Sequence, residues 1–519
     1  MPESNPASSG SLTRNQRLAV LIVAFMAWFF GGVQIGITNV AMRASSLQLM
    51  DQVGDIELEE FDRLNRLSNL YRKIEIAEEE LSKLKSSDQT SDDSSSGSSE
   101  RMAALEKLIT TYREQIENVP GKHEPLTQKE QAQQKTWSNT ATTWYGWNQC
   151  AFLFGAAAGG FIFGRLGDRL GRTKTLALSI FCFATLTWAN CFVTSPTQQL
   201  ILRFLACLGI GGTWPNGVAL VSEAWSNAAR PVVSSAIGMA GNLGIFCIFT
   251  SANIVGVTPE SWRWVMIVGG SPVILAAIIW FLIPESPAWL RAREESPESD
   301  KQNSGDEADT GNKSFRYAIL VGIALATIPL AGGWGSANWM IPWAESIGEQ
   351  TGQTELKSEI GMARSITSIV GSLIAGWIAI RVGRRLTYAI TSIGALLVAQ
   401  YAFGLTAPGE SDFLIWVALL GFFNGLYFGW LPFFLPEMFE ARVRSAGAGI
   451  SFNSGRILTA ITIFATTAMR SAFDNDFSRI GQVTSWVFLL GAIAVAFAPD
   501  TSRVDMSTDS ESEEPQESS

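Results

Sequence analysis

The stretch GRLGDRLGRTK, residues 164–174, lies between two apolar runs, FLFGAAAGGFIF before it and TLALSIFCFATLTWA after it. A charged turn in that setting can be a solvated loop, a nucleotide site or a junction between membrane helices. Its flanks decide. Runs of roughly 20 apolar residues, enough to cross a hydrocarbon core of about 30 Å as a helix, recur along the chain. About twelve such spans can be placed, near 18–42, 144–164, 175–194, 198–222, 232–256, 263–283, 317–342, 358–380, 386–407, 413–435, 446–469 and 483–498. The chain is 47% hydrophobic, and its mean hydropathy is +0.17 although long stretches are polar, so the apolar residues are concentrated. Soluble helices average only about 11–12 residues. The expected fold is therefore an all-α membrane protein.

The first apolar run exceeds the about 7–15 residues of a signal-peptide core and reads as a helix. Orientation follows from basic residues in short loops. Arg14, Arg17, Arg165, Arg169, Arg172, Lys174, Arg230, Arg291, Arg293, Arg381, Arg384, Arg385, Arg442 and Arg444 fall on one side if the spans alternate. Only Arg263, Lys357, Arg470 and Arg479 mark the short loops of the other. Both termini are thus expected in the cytoplasm, with the chain in the plasma (inner) membrane. The net charge of −10 does not oppose this, because acidic residues contribute little to that bias.

Three polar segments divide the chain. Residues 1–17 form a cytoplasmic tail, and 18–283 a first six-helix bundle interrupted by 44–140. Residues 284–315 form a cytoplasmic linker, 316–498 a second six-helix bundle, and 499–519 an acidic disordered tail. Within 44–140, Leu67, Leu70, Ile74, Ala77, Leu81 and Leu84, then Met102, Leu105, Ile109, Tyr112, Ile116 and Val119, recur at steps of three and four. Each set forms one helix stripe, and the Ser-rich SSDQTSDDSSSGSSE between them reads as a tether. The expectation is an extracytoplasmic helical hairpin. Its alternative roles are a simple stand-off structure and a docking arm for a protein partner.

The five cysteines lie inside apolar spans and the single histidine, His123, in a polar loop. Neither a disulfide framework nor a metal cluster is indicated. No cofactor, no nucleic-acid partner and no enzymatic nucleophile with its base are expected.

The spacing G-x-x-x-D-x-x-G-R-x-K in 164–174 resembles the signature loop of the major facilitator superfamily, and GWIAIRVGRR from Gly376 resembles a degenerate second copy, with Ile380 in place of the acid. Two such loops six spans apart fit an internally repeated transporter. A phosphate-binding reading fails, since no GxxxxGK[ST] occurs. The span RFLACLGIGGTWPNGVALVSEAW from Arg203 is similar to the family's fourth helix. PESPAWL from Pro284 resembles the PESPRWL of sugar porters, and FGWLPFFLPEMFEARVRSAG from Phe428 looks like the tenth helix and following loop of sugar and metabolite porters. The resemblance implies twelve helices in two pseudo-symmetric bundles. It makes Gly164, Gly167, Asp168, Arg169, Gly171, Arg172, Lys174, Gly376, Arg381, Gly383, Arg384 and Arg385 a gating cluster that latches the halves together, with Arg203, Glu223, Arg230, Glu285, Glu437 and Arg444 as charge partners.

The departures bear on mechanism. Proton-coupled sugar porters carry a carboxylate in the first span, whereas WFFGGVQIGITN from Trp28 has none, and no Asp or Glu lies well inside any span. Arginines do. Arg364 is about two turns into the eighth span, and Arg456 lies about 18 Å along the helix from Arg444 at 1.5 Å per residue. Charges so placed usually face a cavity or partner. The expected solute is an organic anion, a carboxylate or acidic sugar, clamped by Arg364 and Arg456. Arg203 and Arg456 are alternatively structural pins on helix carbonyls. Gln34, Asn39, Trp144, Asn148, Gln149, Trp214, Asn216, Asn242, Trp334, Asn338, Trp339, Asn424, Tyr427, Trp430 and Asn453 are candidates for the rest of the path. Two alternatives stay open, a neutral-sugar carrier and a non-transporting receptor that uses the hairpin. Coupling is equally open between uniport, exchange and co-transport of a proton.

Overall fold

The structure, a computed structural model, describes residues 12–88, 96–121, 124–225, 230–291, 293, 307–351, 353, 356–439, 444–473 and 476–501. Among the described residues there are helices and no strand. His123, the tether residues 89–95, residues 292 and 294–306 of the linker, and the tail from residue 502 lie outside them.

Helices α1 (Arg14–Gln52) and α4 (Gln128–Leu170) both start at capping boxes. Thr13 and Thr127 each accept an amide N–H from the residue three ahead, and Gln16 and Glu130 reach back to the cap N–H, which satisfies otherwise orphaned donors. The helices hold 39 and 43 residues, or about 60 and 65 Å at 1.5 Å per residue. That is twice a hydrocarbon core, so both run on beyond it.

Between them come α2 (Leu58–Asp88) and α3 (Ser96–Glu117). Leu67, Ile74 and Ala77 meet Ile109, Ile116 and Val119 in a small apolar core, with Leu70, Leu81, Leu105 and Tyr112 packed around it. Ion pairs Lys85–Glu106 (2.9 Å), Arg101–Glu80 (2.6 Å) and Arg113–Glu78 (2.9 Å) edge the seam. The opposed order of Lys85–Glu106 and Arg113–Glu78 fits two antiparallel helices; exposed pairs of this kind add little energy. A second core, Leu47, Met50, Ile56, Phe61 and Ala141 with Trp137 and Trp144 against it, fixes α2 to the C-terminal end of α1 and the N-terminal end of α4.

The first half continues with α5 (Arg172–Ala189), α6 (Pro196–Ala224), α7 (Arg230–Val255), α8 (Arg263–Gly270) and α9 (Val273–Leu282). The last two form one apolar span interrupted beside Pro272, whose nitrogen carries no hydrogen to donate. The second half comprises α10 (Glu307–Ala331), α11 (Met340–Thr351), α12 (Leu356–Val382), α13 (Arg384–Leu405), α14 (Phe413–Glu437), α15 (Arg444–Ala472), α16 (Phe477–Ser485) and α17 (Val487–Ala494). Helices α16 and α17 share one span, and α2 also touches α11.

Among the described residues eleven helical segments are long and apolar enough to cross a membrane. The stretch 446–469 is helical within α15 but is not one of them; Asn453, Arg456 and several Ser and Thr dilute its hydropathy. The seventh span, expected unbroken over 317–342, changes course. A π turn at Gly332–Ser336 and a 3₁₀ turn at Ala337–Trp339 separate α10 from α11. Gly332, Gly333 and Gly335 make helix continuation costly there.

Small residues set the helix spacing. Gly421, Gly425 and Gly429 of α14 lie against Arg364, Ser368 and Ser372 of α12, where an added Cβ would collide with backbone. Ser368 and Ser372 donate across this seam to Gly421 O (2.6 Å) and Gly425 O (2.9 Å), a packing mode suited to lipid. The halves meet where α7 packs on α12 and α14, and where α4 packs on α15. Large apolar side chains such as Phe281 and Ile254 stay more than three-quarters exposed, at 79% and 78%, as expected where lipid is the solvent.

Candidate functional site

A cavity of about 120 Å³ lies between the halves. Helix α1 contributes Trp28, Ile35 and Asn39, α7 contributes Asn242 and Phe249, and the break between α10 and α11 contributes Gly333, Trp334, Asn338 and Ile341. Arg364, Ser365 and Ser368 of α12 and Asn424 and Phe428 of α14 complete the wall. Most of it is apolar, with a few polar groups, the usual make-up of a small-molecule site. Among the described residues on this wall Arg364 alone is ionisable.

The position of Arg364 follows from the broken span. Across the π and 3₁₀ turns Gly333 O and Ala337 O accept the backbone N–H of Ala337 and Met340, and each keeps a second lone pair open to side-chain donors. The half-buried Arg364 guanidinium supplies them: Nη1 donates to Ala337 O (3.0 Å) and to Asn338 Oδ1 (3.1 Å), and Nη2 donates to Gly333 O (3.4 Å). These partners are neutral. Trp334 stacks on Phe152 with ring centroids 5.7 Å apart, and Gln149 donates to Asn39 Oδ1 (3.0 Å) from behind the wall.

Toward the end that carries residues 164–174 the cavity is closed by contacts between the halves. Ser235 Oγ donates to Gly429 O (3.1 Å), Asn242 Nδ2 to Ser372 Oγ (3.2 Å), and Trp214 stacks on Phe452 at 4.3 Å.

The charged loops lie beyond that seal. Arg172 bonds Asp168 one turn back and stands 3.6 Å from Glu223. Ser286 bonds Glu223, Glu285 Oε1 accepts from Thr173 N (3.0 Å), and Trp289 Nε1 donates to Asp168 O (2.8 Å). In the second copy Arg384 stands 3.6 Å from Glu437, Thr501 donates to Glu437 (2.7 Å), and Arg385 bonds Ala498 O. Gly171 and Gly383 occupy matching corners, with φ of +104° and +96°. Each of these contacts lies within the half that carries its loop, so they hold each loop to the end of its own bundle.

The model of the Major Facilitator Superfamily matches residues 127–454. The chain belongs to this superfamily. A cis,cis-muconate transport protein of Acinetobacter baylyi is 27% identical over 312 residues, 60% of this chain and 74% of that one. The niacin transporter NiaP of the same organism is 26% identical over 388 residues, covering 71% and 88%. Among solved structures, the proton:xylose symporter XylE aligns with a TM-score of 0.59 at 15% identity, over 95% of this chain and 99% of that one, a likeness of fold. As a superfamily member the chain is a multi-pass membrane transporter and not an enzyme.

Within this superfamily fold, six of the residues singled out for the path reach the wall: Asn39, Asn242, Trp334, Asn338, Arg364 and Asn424. The others lie elsewhere. Gln34 donates to Gly269 O (2.9 Å), Asn148 to Trp144 O (2.9 Å) and Asn216 to Phe163 O (3.1 Å). Trp144 belongs to the core under α2, Trp339 packs on Phe477 and Trp214 on Phe452. Tyr427 donates to Ser392 Oγ (2.7 Å), and Trp430 to Arg384 O (3.0 Å). Asn453 caps Arg456, whose Nη1 donates to Asn453 Oδ1 (2.9 Å) and to Ala156 O of the other half (3.4 Å), the guanidinium resting 4.7 Å above Phe452. Arg456 thus sits in the α4–α15 seam and is not on the cavity wall.

Arg203, expected as a charge partner, instead grips α1. It donates to Gln34 Oε1 (2.8 Å), Gln34 O (2.6 Å) and Thr38 Oγ1. Arg381 lies 3.7 Å over the Trp377 ring. Gly167 abuts Asn216, Gly376 is buried, and Arg165, Arg169 and Lys174 are exposed. The side chains of Arg230 and Arg444 lie outside the described residues. The sequence reading missed Trp28, Phe249, Phe428, Ser365 and Ser368. Only Ser368 left a signal, since it shares a helix face with Arg364 at four residues' distance.

Proposed function

We propose that the chain carries a small organic anion, a carboxylate or acidic sugar, across the plasma (inner) membrane by alternating access, with the anionic group held at Arg364. The observation that carries this is a guanidinium that lies on the wall of an inter-bundle cavity and donates to carbonyl and amide oxygens. A carboxylate forms shorter and stronger bonds to guanidinium than neutral oxygens do. The muconate and niacin carriers among the relatives, both named for carboxylic acids, support the same class. We count α15 as a twelfth span, since it packs on α4 and α10 and its polar residues face those helices. Both termini then lie in the cytoplasm and α2–α3 outside, where that hairpin can receive a protein partner. Any proton that crosses is placed on the solute, because the described wall carries no carboxylate.

A neutral sugar is the second reading, favoured by the aromatic and amide groups Trp28, Trp334, Asn39 and Asn242 on the wall. Proteoliposomes loaded with the purified chain separate the two. Uptake of nicotinate and cis,cis-muconate is expected to exceed that of a neutral hexose and to fall tenfold or more in Arg364→Gln, a loss of about 1.4 kcal/mol or more. Undiminished carboxylate uptake in that variant, or hexose uptake alone, would overturn the anion reading.

A further inference from the structure

Asn424 is 5% exposed and lines the cavity, yet among the described residues neither its Oδ1 nor its Nδ2 has a hydrogen-bond partner. Its neighbours on the wall are engaged: Asn242 with Ser372, and Asn338 with Arg364. A buried amide left wholly unpaired is costly, and more so than one paired bond is favourable. Such a group persists where something else pairs with it.

The α12–α14 seam fixes where that partner must sit. Gly421 lies opposite Arg364, and Gly425 opposite Ser368. Asn424 follows Gly421 by three residues, so it stands about 4.5 Å further along the helix axis at 1.5 Å per residue, away from the mouth and toward the seal at Gly429. A solute anchored by its carboxylate at Arg364 would therefore present its far end to Asn424.

We infer that Asn424 is the specificity-determining residue of the cavity: it selects organic anions that carry a second polar group, a hydroxyl or ring nitrogen, on the side opposite the carboxylate. This rests on Arg364 being the carboxylate anchor. The amide offers both a donor and an acceptor, so it suits a hydroxyl in either sense and a ring nitrogen through Nδ2. An anion without that group leaves the amide unpaired in the bound state too, and a site built to bond a polar group rejects the analogue lacking it.

The test uses the full chain in detergent, with benzoate, 4-hydroxybenzoate and nicotinate as probes, and reads Kd by calorimetry. The wild type is expected to bind one or both polar-ring anions about tenfold more tightly than benzoate. In Asn424→Ala the ratio is expected to fall to about one while benzoate affinity is kept, with Asn424→Leu behaving alike. Thermal stability of Asn424→Ala without ligand is expected to match or exceed wild type, since an unpaired buried amide has been removed. A wild type indifferent to the ring substituent, a preference that survives in both variants, equal weakening of all three probes, or a drop in ligand-free stability would each overturn the inference alone. Failure of every carboxylate to bind the wild type, or undiminished binding of all three to Arg364→Gln, would instead overturn the anchor and this inference with it.

Discussion

Replacing Arg172 by methionine tests whether the loop at 164–174 is a staple within one bundle. The Arg172 side chain is 7% exposed, that of Glu223 9% and that of Asp168 34%. Losing the cation leaves the Glu223 carboxylate buried, with the Ser286 hydroxyl still donating to it. Breaking a buried pair costs about 3–5 kcal/mol. Two features reduce this: the contact to Glu223 is long, at 3.6 Å, and the Asp168 contact is solvated enough to be worth at most about 1 kcal/mol. The expected loss is therefore about 2–3 kcal/mol, seen as a lower denaturant midpoint in detergent micelles. Glu223→Gln in the same background removes the stranded charge and is expected to restore more than half of the loss, a coupling on the order of 2 kcal/mol. A latch between the halves would behave differently. It would alter transport rate and access to the cavity while leaving the unfolding midpoint in place. An unchanged midpoint in Arg172→Met, or no rescue by Glu223→Gln, would refute the staple.

The two loops differ at their corner glycines in a way that can be measured. Gly171 and Gly383 share a backbone conformation, φ near +100° with ψ of 155° and 151°, that is essentially reserved for glycine and costs other residues about 1–3 kcal/mol. A Cβ on Gly171 would also strike the Glu285 carboxylate, whereas one on Gly383 meets open space. Gly171→Ala is therefore expected to lower the denaturant midpoint more than Gly383→Ala, and equal effects would remove Glu285 from the account. On α2, outside the membrane spans, burial first and Glu260 second raise the pKa of Asp62 against the opposing pull of Arg66. The folded state then holds this proton more tightly than the unfolded one, so its contribution to stability is present at low pH and is lost as pH rises through the folded pKa. Asp62→Asn should raise the thermal midpoint at neutral pH and flatten its rise on mild acidification; an unchanged pH profile would count against burial at this position.

The spans were legible because lipid demands long apolar helices, and the α2–α3 seam because heptad spacing encodes a stripe without reference to anything distant. The break at Gly332–Trp339 was not read, although Gly332, Gly333 and Gly335 stand in plain view. Glycine is common in membrane helices as a packing residue, and what unwinds this segment is the combination of glycines with a donor, Arg364, supplied by another helix. The outward runs of α1 and α4 were missed for a related reason. QKEQAQQKTWSNT at the start of α4 has no apolar stripe of its own and is held by its capping box and by Trp137 against Phe61. The cavity itself was legible only as a set of candidates. Tyr427 and Asn424 are three residues apart on one helix, yet the first bonds Ser392 within the second half and the second faces the cavity; the difference lies in which neighbour each face meets.

The same limit governs the buried arginines, and there it carries functional weight. Arg203, Arg364 and Arg456 look alike in sequence, each a cation in an apolar span without an acid nearby. Each nevertheless points guanidinium donors at oxygen dipoles: Arg203 at Gln34 and Thr38, Arg456 at Asn453 and Ala156, and Arg364 at the carbonyls of a broken helix. Carbonyl and amide oxygens let a guanidinium remain in the membrane without cancelling its charge. For Arg203 and Arg456, sealed between helices, that charge serves packing. Arg364 alone among them lines the cavity, and an acidic partner there would have to be displaced by every arriving carboxylate. Neutral partners leave the positive charge available to the solute, so the carbonyl and amide contacts of Arg364 favour an anionic cargo over a neutral one.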